Sequence, residues 1–190
     1  MELFNIFSAF GLSASAGLNA YIPLLTVAVL AKFTNLMTLK APWDVLTSWW
    51  VIGILIVLSV VEFFADKVPA VNHINDAIQT IIRPVAGAIV FAASANVVSD
   101  INPILSLSLG LLVAGGVHTA KAAAVRPAVT AVTGGAGNVP VSMAEDAVST
   151  IISILSIVIP VVIACISIII TAWVVYYFIQ KSREKDYTQY

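Results

Sequence analysis

A chain of 190 residues that is 60% hydrophobic and only 10% charged has too few polar side chains to cover a soluble core. A mean hydropathy of +1.02 places it in a bilayer, and a net charge of -1 without a basic face argues against a nucleic-acid partner. The single cysteine, Cys165, lies in an apolar run and reads as packing, with no partner for a disulfide.

The run from Leu3 to Ala31 carries no charge and exceeds the roughly 20 residues that a membrane crossing needs, so it reads as the first span. No basic residue precedes Lys32, so the run lacks the positive start of a signal peptide and is expected to stay in the mature protein. Its middle, GLSASAGLNAYIP, is rich in small residues and carries Asn19 and Tyr21 before Pro23. Two readings fit: close approach between helices, or a helix broken at depth to line a pathway.

Lys32 to Asp44 reads as a loop. Trp43, Trp49 and Trp50 mark the headgroup level at the start of a second span, Val45 to Val61, which ends in Glu62, Asp66 and Lys67. Asp76 opens a third apolar segment containing Arg83 and Pro84; seven residues, close to two turns, set Asp76 and Arg83 on one helix face. A short link leads into a fourth span from Ile104 to about Ala124, followed by a glycine-rich bend at Gly134 to Asn138, read as a flexible turn or a re-entrant segment. Ala147 to Gln180 is uncharged, too long for one upright crossing, and Pro160 is the expected kink. Trp173, Tyr176 and Tyr177 then precede Lys181, Arg183 and Lys185, an aromatic belt and a basic tail on the cytoplasmic side. The fold expected is an all-α bundle of about five spans, with residues 1–180 as one transmembrane domain and 181–190 as a polar tail. SAGLNAYIPLL echoes AGGVHTAKAAA, and VPAVNHINDAIQT echoes VPVSMAEDAVST, in the same order, as a degenerate internal repeat would.

Counting back through the spans brings Glu62, Asp66, Lys67, Asp76, Arg83, His118, Lys121, Arg126, Glu145 and Asp146 to one side of the membrane, with Asn19 and Tyr21 as deeper lining. Ionisable groups in a membrane segment face the bundle interior or water, so this convergence is the expected substrate-binding site. With α-helical geometry, Lys121 lies roughly 60° to one side of His118 and Arg126 roughly 80° to the other. The bland alternatives are snorkelling of Lys121 and Arg126, a structural salt-bridge network, and helix capping. Both Asp76-x-x-Gln79 and Ser142-x-x-Glu145 have capping-box spacing. KAAAVRP lacks the spacing and companion motifs of lipid phosphatases, and no spacing of histidines and acids supports a metal; no cofactor is expected.

At GLSASAGLNAYIPLL, E-x-x-ADKVP, NDAIQTIIRP, GGVHTAKAAAVRP and TGGAGNVPVSMAEDAVS the chain resembles a bacterial integral membrane family of unknown function, domain of unknown function 4126. The resemblance spans most of the chain. It marks Asn19, Asp66, Lys67, Asp76, Arg83, Pro84, His118, Lys121, Arg126, Gly134, Gly135, Asn138, Glu145 and Asp146 as family-like positions, and it implies no activity. The functional expectation is a homo-oligomeric inner-membrane protein, a transporter or channel-like protein that moves a small polar or ionic solute through the charged pocket. An enzyme acting on a lipid headgroup or phosphate, and a partner-stabilising protein, are the competing classes.

Overall fold

The computed structural model describes residues 2–67, 69–95 and 101–158. Among them every regular element is helical: α1 (Glu2–Leu18), α2 (Tyr21–Phe33), α3 (Trp49–Ala65), α4 (Pro69–Ala95), α5 (Pro103–Ala120), α6 (Arg126–Thr133) and α7 (Asn138–Val158). A 3₁₀ turn, Trp43–Thr47, leads into α3, and a π-helical turn, Lys121–Val125, joins α5 to α6 without a break. The aromatic belt, Cys165, Pro160 and the tail lie outside the described residues.

Three stretches, 75–95, 103–133 and 138–158, are long and apolar enough to cross a membrane; 6–18, 21–33 and 49–65 are shorter apolar helices. Among the described residues, three such helices stand against the five spans expected. The run from Leu3 to Ala31 is divided at Asn19 and Ala20, which favours the broken-helix reading. The cause is local: Asn19 Oδ1 accepts the backbone N–H groups of Tyr21 and Ile22 at 3.1 Å each, capping α2, and Pro23 in its first turn has no N–H to continue α1. The second span runs from Trp49, after Ser48 accepts the Val51 N–H, rather than from Val45.

The remaining boundaries shift in the same direction, placing charges inside helices. Because α4 begins at Pro69 and α7 at Asn138, Asp76, Glu145 and Asp146 sit one to two turns inside, so the capping-box reading fails at both places. The fourth span continues past Ala124 to Thr133, and His118 lies midway along the 31-residue stretch Pro103–Thr133. The glycine bend is a turn from α6 to α7: Gly134 and Gly135 take positive φ of 61° and 93°, and the Thr130 and Asn138 side chains bond across it.

Small residues let the helices approach, so the close-packing reading of α1 also holds. Ser13 Oγ donates to the Gly110 carbonyl of α5 at 2.7 Å, while Ser15 Oγ lies 2.7 Å from both Ser149 Oγ and Ser153 Oγ of α7. Gly17 faces Ala114 and Val117, and Phe10 meets Phe91 edge to face. Together these contacts set α1 parallel to α5 and antiparallel to α4 and α7. Leu24, Val27 and Ala28 of α2 share one apolar core with Leu12, Ala16, Ala86, Val90 and Ala93. Outside, Ile54, Val57, Val61 and Phe64 of α3, Leu111 and Leu112 of α5, and Ile151 and Ile154 of α7 are exposed. Serines and charges inside with isoleucine, valine and phenylalanine outside is the arrangement suited to lipid.

A methyl group on Gly110 would come within 2.6 Å of Phe91 Cβ, whereas one on Gly116 meets nothing within 4 Å. Gly110→Ala is expected to lower stability by about 1–3 kcal/mol and Gly116→Ala to leave it unchanged, measured as thermal unfolding in detergent.

Candidate functional site

The charged residues form two sets of contacts, a larger one around Asp66, Arg126 and Glu145 and a smaller one on Asp146, which meet at neighbouring positions of α7. Arg83, fully buried on α4, places Nη2 2.9 Å from Glu62 Oε1 and 3.5 Å from Asp66 Oδ2 at the end of α3. Asp66 also accepts from Asn75 Nδ2 at 2.6 Å and Ser142 Oγ at 3.2 Å, and lies 3.6 Å from Arg126 Nη2. Arg126 further reaches Asp76 at 3.4 Å and Glu145 at 3.6 Å. Glu145 is shared with Lys121 at 2.6 Å, and Lys121 Nζ also donates to the Leu18 carbonyl at the end of α1, 3.2 Å away. Asp146 receives Asn19 Nδ2 at 2.9 Å and Lys67 Nζ at 3.2 Å.

His118 closes the larger set on the α4 side. Its Nδ1 lies 3.4 Å from Arg83 Nη1 and its Nε2 3.1 Å from Thr80 Oγ1. Arginine only donates, so Nδ1 accepts and Nε2 carries the proton, which it donates to Thr80; the Thr80 hydroxyl donates in turn to the Asp76 carbonyl at 2.8 Å. The imidazole is thereby fixed in one tautomer.

Lys121 and Arg126 share Glu145 because of the π turn. In uniform α geometry five residues leave them roughly 140° apart. Here the Arg126 N–H bonds the Lys121 carbonyl, an i to i+5 step that stacks one above the other. Pro127, at the start of α6, accounts for the widening: it has no N–H, and its ring would strike the carbonyl four residues back in a regular helix.

Of the residues expected at the site, Glu62, Asp66, Asp76, Arg83, His118, Lys121, Arg126 and Glu145 share the larger set, and Asn19, Lys67 and Asp146 the smaller one beside it. Tyr21 instead packs against the apolar core. Asn75, Thr80 and Ser142 were not anticipated as members; Asn75 and Ser142 lay in polar runs whose signal was absorbed by the capping-box spacing. Among the described residues five carboxylates meet four bases, with His118 neutral in the tautomer above, and no group of histidines, cysteines and acids is arranged to hold a metal ion. A family model described as Domain of unknown function (DUF4126) matches residues 6–181. The chain belongs to this family. No curated protein and no solved structure matches it.

Opening one side of such a pair leaves a bare buried charge, which costs about 3–5 kcal/mol, whereas removing both is much milder. Arg83→Met is expected to lower the unfolding temperature in detergent sharply, and adding Glu62→Gln to recover a good part of the loss. Equal unfolding temperatures for the single and double variants would contradict the pairing.

Proposed function

We propose that the protein is a carrier or channel-like protein of the cytoplasmic membrane that binds a small polar or ionic solute at the buried charge cluster and passes it across. The observation that carries this reading is that two departures from regular α geometry, the break at Asn19 and the π turn at Lys121, meet on one cluster. Discontinuous helices within a membrane place backbone carbonyls and helix ends beside a solute, and they are tolerated only where protein or a water-filled cavity serves the freed groups. Lys121 joins the two interruptions directly, through the Leu18 carbonyl.

Shared carboxylates supply a means of exchange. Asp66 serves Arg83 and Arg126, and Glu145 serves Lys121 and Arg126, so an incoming ion can take one partner while the remaining charges stay paired. A degenerate repeat fits the same picture. α1 and α5 lie side by side and parallel, each interrupted where it meets the cluster, and Thr80 and Thr150 bond the carbonyls of Asp76 and Asp146 at 2.8 Å in matching positions of the two echoed segments. The exposed apolar face of α3 is the surface we assign to self-association.

Uptake of labelled small ions and amines into proteoliposomes tests the reading. Flux that the wild type supports is expected to fall at least about tenfold, a loss of roughly 1.4 kcal/mol in barrier terms, in both Lys121→Ala and Asp146→Asn. Wild-type flux through both variants would remove the cluster from the pathway.

A further inference from the structure

A cleft of about 380 Å³ opens beside the cluster, and neither the ion pairs nor the core packing accounts for it. Ile22 of α2 forms one wall and Val60, Phe63 and Phe64 of α3 the other; the α3 side continues into the exposed apolar surface of that helix. The lining is almost wholly apolar, and Asn19 and Asp146 are among the residues that border it; Lys67 reaches the same carboxylate. The Ser59 hydroxyl, on the same lining, is buried and has no hydrogen-bond partner among the described residues. An apolar cleft bordered by a carboxylate has the chemistry of an amphiphile site.

The charge on its border selects the head. Each Asp146 oxygen has one donor, Asn19 or Lys67, and a carboxylate oxygen accepts two, so the group retains capacity for a further N–H. The cluster around it carries five carboxylates against four bases, so a cation brings it to balance and an anion does not. Phe63 already holds a cation: Lys67 Nζ sits 3.3 Å from its ring centroid and donates to its carbonyl at 2.9 Å. A ring face beside a carboxylate recognises ammonium. Lys67 is held by the Phe63 carbonyl and ring as well as by Asp146, so a second ammonium can share the carboxylate with it.

The size of the cleft selects the body. Pockets for small molecules run from roughly 300 to 1,000 Å³, and this one, at the lower end, holds one short chain rather than the two of a phospholipid.

We propose that this cleft binds a hydrophobic ammonium, a single apolar chain bearing an amine, with the amine on Asp146 and the chain between Ile22 and Val60. The inference deepens the carrier reading and rests on it for the assignment of such an amine as the transported solute. The test is equilibrium binding of radiolabelled decylammonium to the full chain in phosphatidylcholine nanodiscs, with decanoate and methylammonium as head and chain controls. Saturable binding of decylammonium alone is expected, weakened at least about tenfold by Asp146→Asn and by Val60→Trp, which fills the cleft from a half-exposed position. Equal binding of decanoate, unchanged binding in Val60→Trp, or displacement by phosphatidylethanolamine would overturn the proposal, the last by assigning the cleft to a lipid. Saturable binding without decylammonium flux in proteoliposomes sinks the carrier reading and leaves the cleft assignment standing. Flux of another ion that Asp146→Asn abolishes, with no decylammonium binding, does the reverse.

Discussion

Asp66 is the residue on which the assembly depends. It sits at the end of α3 and receives Arg83 and Asn75 from α4, Arg126 from the start of α6, and Ser142 from α7. A carboxylate can serve about four partners, and here two come from α4, the next helix in the chain, and two from the distant α6 and α7. In a bundle whose outer faces contact hydrocarbon, water cannot solvate an arginine, so each buried base must find its acid within the protein. The meeting of α3, α4, α6 and α7 at one point follows from that requirement. α3 in particular packs its apolar face only loosely, and its charged end is what ties it to the rest.

Close approach is the second requirement, since ion pairs with separations near 3 Å need backbones that come near each other. The seams provide it with glycine and serine: Ser13 on Gly110, Ser15 between Ser149 and Ser153, Gly17 on Ala114. No hydrophobic force drives helices together in lipid, so packing contacts and these hydroxyl bonds carry the association. Seam and cluster are continuous along α7, where Ser142, Ser149, Ser153 and Ser156 are fully buried and Glu145 and Asp146 lie between them. The same helix face serves packing at one end and charge at the other.

Much of this was legible in the sequence, for a physical reason. In so apolar a chain each charge is costly, so its position carries information that a soluble surface would dilute, and the ten ionisable residues marked on that ground lie in two sets of contacts that meet at Glu145 and Asp146. The break at Asn19 was only half legible, because small residues serve both close packing and interruption, and here they do both. Arg126 was misplaced by an assumed 100° per residue; nothing in KAAAV signals a π turn, and only Pro127 hints that a regular helix is obstructed there. The capping alternative for Ser142 and Asp76 arose because the spacing of a capping box also occurs inside helices. Whether such a spacing caps depends on where the helix begins, and Pro69 and Pro140 were the better markers of that.

The contacts of the cluster are of two kinds, tight pairs and shared ones. A network built only for stability is best served by exclusive, matched pairs, since each shared group leaves some partner at a longer distance. Here Arg126 spreads over Asp66, Asp76 and Glu145 at 3.4 to 3.6 Å, while Lys121 holds Glu145 at 2.6 Å and Arg83 holds Glu62 at 2.9 Å. The tight pairs fix the frame, and the shared arginine follows the π turn, whose widened pitch brings it over the same carboxylate as Lys121.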